Sequence, residues 1–398
     1  MGLLRTLLAL SVVFTHTLGD ILVSGKEAVQ LFYIISGFLI SYVLTEKKSY
    51  RTVKSFYLNR WLRVYPVYAI VASLTATAIL AATLVGAYSS FVQTYKNAPP
   101  SAVVLLALSN VTVFLQDWIM FLGIEDGKIE FSENFRESEV KLYQGLLVPQ
   151  AWTLGVELTF YAVAPFILKK FKTILVFLAA SVILRIYLIH IDLGLKDPWN
   201  YRFFPTELAF FLVGSLAHRV LRPIYRDAFK SSQTELLSGL ATYFLFTFIL
   251  TFSLIPLNGD IKSAALLIAF VALTPFTFTF QSTRKWDSKI GDLSYPIYIS
   301  HMLIVYILTF LLNNVAPRIA PSLGDMDIYQ KNLLVGIGTA ALSVLLAIVL
   351  NKFIEAPVES LRARLRGSAE RSPADPEPWP SPAQASDLPE STAVILQK

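Results

Sequence analysis

Residues 3–23 read LLRTLLALSVVFTHTLGDILV, an apolar run long enough to cross the ~30 Å hydrocarbon core of a bilayer. Similar runs recur along the 398 residues, of which 55% are hydrophobic and only 16% are charged. A soluble domain carries nearer to about 25% charged residues and lacks the interior to bury so many runs. Because a helix satisfies its own backbone hydrogen bonds in lipid, the pattern predicts an all-α membrane protein with about ten transmembrane helices. The predicted spans are 3–23, 28–45, 64–87, 150–168, 172–191, 203–221, 236–255, 262–281, 292–312 and 333–354.

The first of these runs has the apolar character of a signal-peptide core, but polar residues interrupt it. Arg5, His16 and Asp20 all lie within it, and no convincing small-x-small cleavage site follows. We therefore expect a retained first helix rather than a cleaved signal peptide.

Basic residues indicate the orientation, because cytoplasmic loops of membrane proteins are rich in Lys and Arg. With the N-terminus inside, the longest loop, 88–149, lies outside and carries many acidic residues. The apolar stretch 102–122 is then an interfacial or re-entrant element, since a further span would invert every later loop. The prediction is a multi-pass protein of the bacterial inner membrane with both termini in the cytoplasm. The inside clusters are Lys47, Lys48, Arg51, Lys54, Arg60 and Arg63; Lys169, Lys170 and Lys172; Arg219, Arg222, Arg226 and Lys230; Arg284, Lys285 and Lys289; and Arg362, Arg364 and Arg366.

Composition excludes several kinds of chemistry. The chain has no cysteine, which rules out disulfides, thiolate catalysis and Cys-based metal sites, and no metal site is predicted. The net charge of +6 is concentrated between the apolar runs, so nucleic acid is not an expected partner. From about Ser368 the chain becomes rich in Pro, Ser and acidic residues. We therefore predict a transmembrane domain, 1–360, and a tail, 361–398, that begins basic and continues as a disordered cytoplasmic extension.

Ionisable residues inside membrane spans are costly and usually functional, which singles out the first predicted span. Arg5 and His16 are 11 residues apart, so on a helix they share one face, about 16 Å apart along the axis. Asp20 follows His16 at i+4 and is a candidate to hold the imidazole tautomer. Glu157 enters the membrane from the outer side at a similar depth and could form a general acid/base pair with His16. The structural alternatives are a histidine satisfied by packing and an ion pair between Glu157 and another arginine.

Further polar residues accompany the other apolar runs. Ser36 and Gly37 interrupt the second predicted span, where small residues permit close helix packing or mark a substrate channel. Arg60 and Arg63 share a face at i,i+3 beside the third span. Paired guanidiniums suit phosphate recognition, and the alternative is ordinary anchoring at the cytoplasmic edge. Glu355, at the cytoplasmic end of the last span, could pair with either arginine.

Taken in order, these residues resemble the motifs of the acyltransferase-3 family of bacterial membrane O-acyltransferases. The resemblance covers about residues 1–360. Thr153 stands where the family commonly has Ser, while Gln30 and Tyr33 replace an acidic residue and a Phe. The matching motifs are Arg5 with His16, FYIISGFL over Phe32–Leu39, Arg60 with Arg63 and Pro66, WTLGVELTFY over Trp152–Tyr161, SYPIYISH over Ser294–His301, and Glu355 with Pro357.

The resemblance implies a ten-helix domain that takes an acyl group, in the simplest case acetyl, from cytoplasmic acyl-CoA. The group passes to a hydroxyl of a carbohydrate or glycolipid at the outer face of the membrane. The resemblance also implies that His16, Arg5, Arg60 and Arg63 are essential. Some relatives carry a fused external hydrolase-like domain. No such domain is expected in this chain, which is expected to act alone or to hand the acyl group to a separate periplasmic transferase.

The resulting hypothesis is a membrane O-acyltransferase in which His16 activates the acceptor hydroxyl as a general base or carries the acyl group itself. Glu157 or Asp20 sets the tautomer of His16. A transporter or flippase for an envelope precursor would use the same buried charges and remains an alternative, as does a non-catalytic scaffold for envelope polysaccharide assembly. The expected donor site consists of Arg5, Arg60, Arg63, Ser36 and Glu355.

Overall fold

The computed structural model describes residues 1–50, 52–87, 89–319 and 326–367 of the chain. Helices make up almost all of the regular structure in these residues. The predicted disordered tail from residue 368 onward lies outside the described residues. Residues 361–367 belong to the last helix, and the division of the chain at residue 360 remains a prediction.

The helices are numbered here in chain order within the described residues. They are α1 Gly2–Thr15, α2 Gly25–Ser41, α3 Val53–Leu84, α4 Ser90–Asn97, α5 Pro100–Thr112, α6 Trp152–Ile167, α7 Phe171–His190, α8 Phe204–Leu216, α9 Arg222–Ala228, α10 Ser231–Thr251, α11 Gly259–Thr283, α12 Lys285–Asp292, α13 Ser294–Phe310, α14 Ala316–Ile319, α15 Ile328–Leu350 and α16 Ala356–Gly367. Single π-helical turns extend α2, α8, α13 and α15 over Tyr42–Glu46, Ala217–Leu221, Leu311–Val315 and Asn351–Glu355. Short 3-10 turns cover Trp118–Phe121, Leu142–Gly145, Pro149–Ala151, Leu193–Leu195 and Phe252–Leu254. One antiparallel hairpin joins β1 Leu122–Glu125 to β2 Lys128–Phe131.

In the part of the chain that the structure describes, 7 helices are long and apolar enough to cross a membrane. They confirm the prediction of an all-α, multi-pass membrane protein. The remaining predicted spans, 3–23, 150–168 and 203–221, hold shorter α-helices of 14, 16 and 13 residues. The count of ten spans and the orientation therefore remain predictions.

The first helix is shorter than the sequence predicts. α1 ends at Thr15, and Gly19 in the following turns has a φ of 84°, a backbone conformation that suits glycine and interrupts a helix. The Thr15 hydroxyl donates a hydrogen bond of 2.8 Å to Asp20, while the Thr17 hydroxyl bonds back to a carbonyl of the last helical turn. The prediction of one helix over 3–23 is therefore wrong, and His16 lies at the end of α1.

The third helix begins earlier than the predicted start at residue 64. Thr52 caps its N-terminus, accepting a 3.1 Å hydrogen bond from the Ser55 backbone, and the Ser55 side chain returns the interaction. Such a reciprocal capping box fixes a helix start. Arg60 and Arg63 consequently lie within α3 and inside the bundle, whereas the sequence placed them just before the helix.

Helices α2 and α8 approach each other closely at two glycines. A Cβ atom at Gly37 would lie 1.8 Å from the Phe211 carbonyl oxygen, and one at Gly214 would lie 2.0 Å from the Ile34 carbonyl oxygen. Gly37 thus permits close packing of the two helices, which was one of the two interpretations of the Ser36-Gly37 pair. Its neighbour Ser36 lines a cavity instead.

The segment between α3 and α6 forms a layer of short elements whose buried apolar side chains share one hydrophobic core with those two helices. Within it, α5 has 13 residues and is about 20 Å long, shorter than the ~30 Å hydrocarbon core. The stretch 102–122 is not one helix, because α5 gives way at Val113 to a backbone with a φ of 65°. The Tyr68 hydroxyl of α3 donates a 2.6 Å hydrogen bond to the Asn110 carbonyl, which ties this layer to the bundle.

Candidate active site

A cavity of about 140 Å³ lies between α1, α2, α3, α6 and α13, and is called the arginine cavity here. Residues far apart in the sequence meet in its wall. The predicted site residues that line it are Arg5, Ser36, Arg60, Arg63 and Glu157. His16, Asp20 and Glu355 do not line it, so the structure divides the predicted site into separate parts.

Arg60 is the most firmly held of the three arginines. Its side chain is buried, and one guanidinium nitrogen donates a 2.7 Å hydrogen bond to the Tyr50 hydroxyl. The rings of Tyr50, Phe56 and Tyr161 lie 5.9, 5.7 and 5.9 Å from its guanidinium carbon. Its Nε has no hydrogen-bond partner in the described chain. A planar cation packed among aromatic rings is fixed in orientation and keeps donors available for a ligand.

Arg5 and Arg63 differ from Arg60 because nothing in the described residues holds their guanidinium groups. Neither group takes part in a hydrogen bond or ion pair with another described side chain, although both line the arginine cavity. The cavity wall therefore contains three arginines and a single carboxylate, that of Glu157. Charges in a low-dielectric interior are normally paired, so this surplus of positive charge is suited to an anionic ligand.

Glu157 is held by two hydroxyl groups of the cavity wall. Its Oε1 accepts a 2.8 Å hydrogen bond from Ser36 of α2 and a shorter one from Tyr161, one helical turn further along α6. Across the described part of the chain, no hydrogen bond joins Glu157 to His16. The hydrogen bonds of Glu157 go to Ser36 and Tyr161 instead, and an acid/base role for Glu157 with His16 stays a prediction.

Asp20 also does not hold the imidazole of His16. The i+4 relationship assumed a continuous helix, but α1 ends at Thr15 and Asp20 lies on an exposed bend, where it accepts the hydrogen bond from Thr15. The described residues show no hydrogen bond between Asp20 and the imidazole. The prediction that Asp20 sets the tautomer is not supported by this geometry.

The imidazole of His16 faces a second histidine. Its ring centroid lies 5.3 Å from that of His301, with the ring planes inclined by 30°. His16 is exposed at the end of α1, whereas His301 is fully buried on α13. From the sequence, His301 is only the last residue of the motif SYPIYISH, with no indication that it lies beside His16. The contact depends on the packing of α1 against α13, which local periodicity does not reveal.

Tyr298 connects the histidine pair to the arginine cavity. It lines the cavity, and its ring lies 5.9 Å from the ring of His301. Its hydroxyl lies 3.0 Å from that of Thr153, which stands at the family's usual Ser position. The sequence assigns no role to Thr153 or Tyr298 beyond their place in the motifs. Their contact shows that the two motifs lie side by side in the wall of the arginine cavity.

A second and wider cavity of about 440 Å³ adjoins the first and is called the Glu355 cavity. Arg63 and Tyr295 line both cavities, while Glu355 and Asp292 line only the second. Within the described residues Glu355 makes no ion pair with Arg60 or Arg63, so the predicted pairing is not formed. Glu355 shares the cavity with Arg63 but not with Arg60.

The complete arrangement has an anion-binding end and a histidine end. The arginine cavity can hold a negatively charged group, and the histidine pair at the exposed end of α1 offers imidazole nitrogens for proton transfer or nucleophilic attack. Transfer of a group from an anionic carrier to a nucleophile requires both functions in one site.

Comparison with known proteins gives one family and several distant relatives. A family model described as an acyltransferase domain matches residues 1–352. Nodulation protein 10 of Rhizobium leguminosarum bv. viciae is 25% identical over 332 residues, which cover 77% of this chain and 82% of that protein. An uncharacterized protein of Aquifex aeolicus is 29% identical over 170 residues, covering 41% of this chain and 73% of its own length. No solved structure matches.

Proposed function

Since the chain belongs to the acyltransferase-3 family, we propose that this multi-pass membrane acyltransferase takes its acyl group from acyl-CoA, in the simplest case acetyl-CoA. The proposed acceptor is a hydroxyl of a cell-envelope or exported carbohydrate or glycolipid at the outer face of the bacterial inner membrane. The observation that carries the proposal is the arginine cavity, in which three guanidiniums and one carboxylate converge and which Tyr298 connects to a histidine pair.

The proposed donor site follows from the charge of the arginine cavity. Arg5 and Arg63 are free to neutralise a phosphate-bearing carrier, and Arg60 adds a fixed guanidinium fork. The arginine cavity, at about 140 Å³, has room for only a part of the coenzyme. The wider Glu355 cavity shares Arg63 with it, and we assign it as the route by which the donor arrives from the cytoplasm.

The proposed chemistry places His16 at the acceptor. In direct transfer, His16 removes the hydroxyl proton, the oxygen attacks the thioester carbonyl, the C–S bond breaks, and the departing thiolate recovers the proton from the imidazolium. In the alternative route, a nitrogen of His16 attacks the thioester first and then passes the acyl group to the hydroxyl. Both routes convert an acyl thioester and an alcohol into an ester and free CoA.

The position of His16 supports an acceptor that approaches from the side of residues 88–149. His16 is exposed at the end of α1, and Arg136 and Arg202 lie close enough to act on its imidazole electrostatically. Arg136 belongs to the 88–149 segment, and both arginines form ion pairs with Asp197. In the proposed orientation this side of the protein faces outward.

A transporter or flippase would use the same surplus of positive charge, since a cavity that binds an anion can also carry one. Such a protein would bind acyl-CoA or a glycan precursor without breaking the thioester. Release of free CoA by the purified protein distinguishes the two functions, because transport alone produces no thiol.

The acceptor is identified by mass analysis of surface glycans and glycolipids from cells with and without the gene. We expect a component to lose the mass of one acyl ester when the gene is absent, and to regain it with a plasmid copy. An unchanged set of glycan and glycolipid masses would contradict the proposed acceptor class.

A further inference from the structure

His301 is a fully buried imidazole to which the proposed mechanism assigns no role. It lies in the middle of α13, at the end of the motif SYPIYISH, with 0% of its surface exposed. Buried polar atoms are nearly always hydrogen-bonded, so a buried ring nitrogen without a partner requires an explanation. His301 has one such nitrogen, Nε2.

The hydrogen bond at the other ring nitrogen fixes the tautomer of His301. Its Nδ1 lies 2.6 Å from the carbonyl oxygen of Tyr298. A carbonyl oxygen only accepts hydrogen bonds, so Nδ1 must be the protonated nitrogen and the donor. In the neutral ring Nε2 then carries a lone pair and is a hydrogen-bond and proton acceptor.

The neighbour of this unused acceptor is His16. The ring centroids lie 5.3 Å apart, a separation that an N–H···N hydrogen bond of about 2.9 Å can span once the two nitrogens point at each other, although this structure leaves Nε2 without a hydrogen bond. The carboxylates expected to orient His16 are engaged elsewhere, Asp20 by Thr15 and Glu157 by Ser36. No hydrogen bond joins the His16 imidazole to any described side chain, so His301 Nε2 is the nearby acceptor that remains available to it.

We propose that His301 is the positioning residue of His16, accepting a hydrogen bond from the His16 N–H through its Nε2 and thereby orienting the nitrogen that reacts. This role rests on the proposed function of His16. It resembles that of the third member of a catalytic triad, which holds the base and stabilises its charged form.

The proton balance is the same in both routes of acyl transfer. When His16 takes the acceptor proton, its second N–H is shared with His301 Nε2, and the proton leaves His16 with the CoA thiolate. When His16 attacks the thioester, the C–S bond breaks and the N–H proton moves to His301 and from there to the departing thiolate. When the acceptor oxygen then attacks the acyl-imidazole, the C–N bond breaks and the acceptor proton returns to the released imidazole of His16. His301 begins and ends each cycle neutral.

The tautomer is tested first, without any measurement of activity. The chain has only 4 histidines, so the ring nitrogens of the full-length protein labelled with ¹⁵N-histidine can be assigned by substituting His301. We expect a protonated Nδ1 and an unprotonated Nε2 for His301 near neutral pH. A protonated Nε2 in the resting protein would overturn the proposal whether or not the protein transfers acyl groups.

Two substitutions separate positioning from packing. In His301→Gln, the side-chain oxygen can reach the place of Nε2 and accept a hydrogen bond. In His301→Asn, the amide can keep the bond to the Tyr298 carbonyl but presents no acceptor at that place. If the role of His301 is to accept from His16, the Gln variant retains more activity than the Asn variant, which loses roughly tenfold or more in kcat. The KM for acyl-CoA stays near that of the wild type in both.

The pH profile of kcat/KM supplies a readout that packing alone does not move. Loss of the acceptor makes the His16 imidazolium less stable, so His301→Asn should shift the acidic limb of the profile to lower pH. Asp20, Arg136 and Arg202 also act on His16, but they are unchanged in the variant. His218→Gln, at a buried histidine held by Ser41 and Glu46, is the matched control and should keep the wild-type profile.

The outcomes distinguish this proposal from the proposed function itself. Lack of acyl transfer by the wild-type protein would contradict the proposed function. The tautomer measurement would then still test whether His301 Nε2 is an acceptor. A wild-type enzyme with an Asn variant equal to or better than the Gln variant, and with an unmoved pH profile, would overturn the positioning role while the function stands.

Discussion

The hydroxyl of Ser36 donates a 2.8 Å hydrogen bond to Glu157 and so joins α2 to α6 across the wall of the arginine cavity. This contact directs Glu157 toward the three arginines. His16, at the exposed end of α1, faces His301 instead. In the proposed mechanism, the recognition of an anionic donor is therefore separate from the proton chemistry at the acceptor.

The arginines should affect donor affinity in different ways. Arg63→Ala should raise the KM for acyl-CoA by tenfold or more, about 1.4 kcal/mol, because it removes an unpaired cation from both cavities. Arg63→Lys should recover part of the loss, since Lys keeps the charge. Arg60→Lys should recover little, because a point charge replaces the planar group packed against Tyr50 and Phe56.

Steady-state kinetics with varied acyl-CoA check this prediction. Arg226→Ala is the control, because Arg226 is an exposed residue paired with Asp227 on α9. An unchanged KM in the alanine variants of both Arg60 and Arg63 would reduce these residues to anchors of the membrane topology.

A methyl group at Gly155 should destabilise the fold. A Cβ there would lie 2.5 Å from the Asp117 carboxylate and 3.0 Å from its backbone nitrogen, so part of the clash cannot be relieved by a side-chain rotation. Overpacking of this kind costs about 1–3 kcal/mol. Gly239→Ala, in a helix where a Cβ meets nothing within 4 Å, should be neutral or stabilising by about 0.5–1 kcal/mol. Thermal unfolding in detergent compares them, and equal melting temperatures would contradict the prediction.

Asp117 should make stability depend on pH. It lies in the loop after α5, outside the long apolar helices, and burial raises the pKa of its carboxyl to about 7. The folded protein therefore binds this proton more tightly than the unfolded chain, and stability falls as pH rises from about 4 toward 7. Asp117→Asn should remove that fall and stabilise the protein more at pH 8 than at pH 5.

Melting temperatures of wild type and variant at the two pH values test this effect. Asp126→Asn is the control, since Asp126 lies exposed in the Asp-Gly turn of the hairpin and Asn-Gly suits the same turn. A gain from Asp117→Asn that is equal at both pH values would mean that the substitution acts through packing.

The orientation can be measured directly, because the native chain contains no thiol. A cysteine at the exposed hairpin position Lys128 should react with a membrane-impermeant maleimide in intact spheroplasts. A cysteine at Arg226 should react only after lysis. The opposite pattern would invert the predicted topology and place the acceptor side in the cytoplasm.

Much of the architecture could be predicted from the sequence, because apolar run length and the placement of Lys and Arg are strong signals. Seven predicted spans correspond to long apolar helices in the described residues. The end of α1 could not be predicted in this way. It depends on the hydrogen bonds of Thr15 and Thr17 and on the positive φ of Gly19, which interrupt a run that is apolar enough to continue.

The site could be predicted in part for a related reason. Buried charge is rare in membrane helices, so Arg5, Arg60, Arg63 and Glu157 stood out, and they do meet in one cavity. The ring that lies beside His16 could not be predicted, because helical periodicity relates only residues on one helix; the roles expected of Asp20 and Glu157 stay predictions. The contact with His301 arises from the packing of α1 on α13, which requires the tertiary structure.

The release of CoA thiol from acetyl-CoA by the purified protein tests the central claim most directly, and the cysteine-free chain contributes no background to a thiol reagent. The assay supplies a glycan and glycolipid extract of the host membrane as acceptor. Wild type and His190→Ala, a control at an exposed histidine, should release thiol together with an acylated acceptor. His16→Ala should lose ~10² or more of that rate while it accumulates normally in the membrane. Equal rates for His16→Ala and wild type, or no thiol from the wild type, would contradict the account.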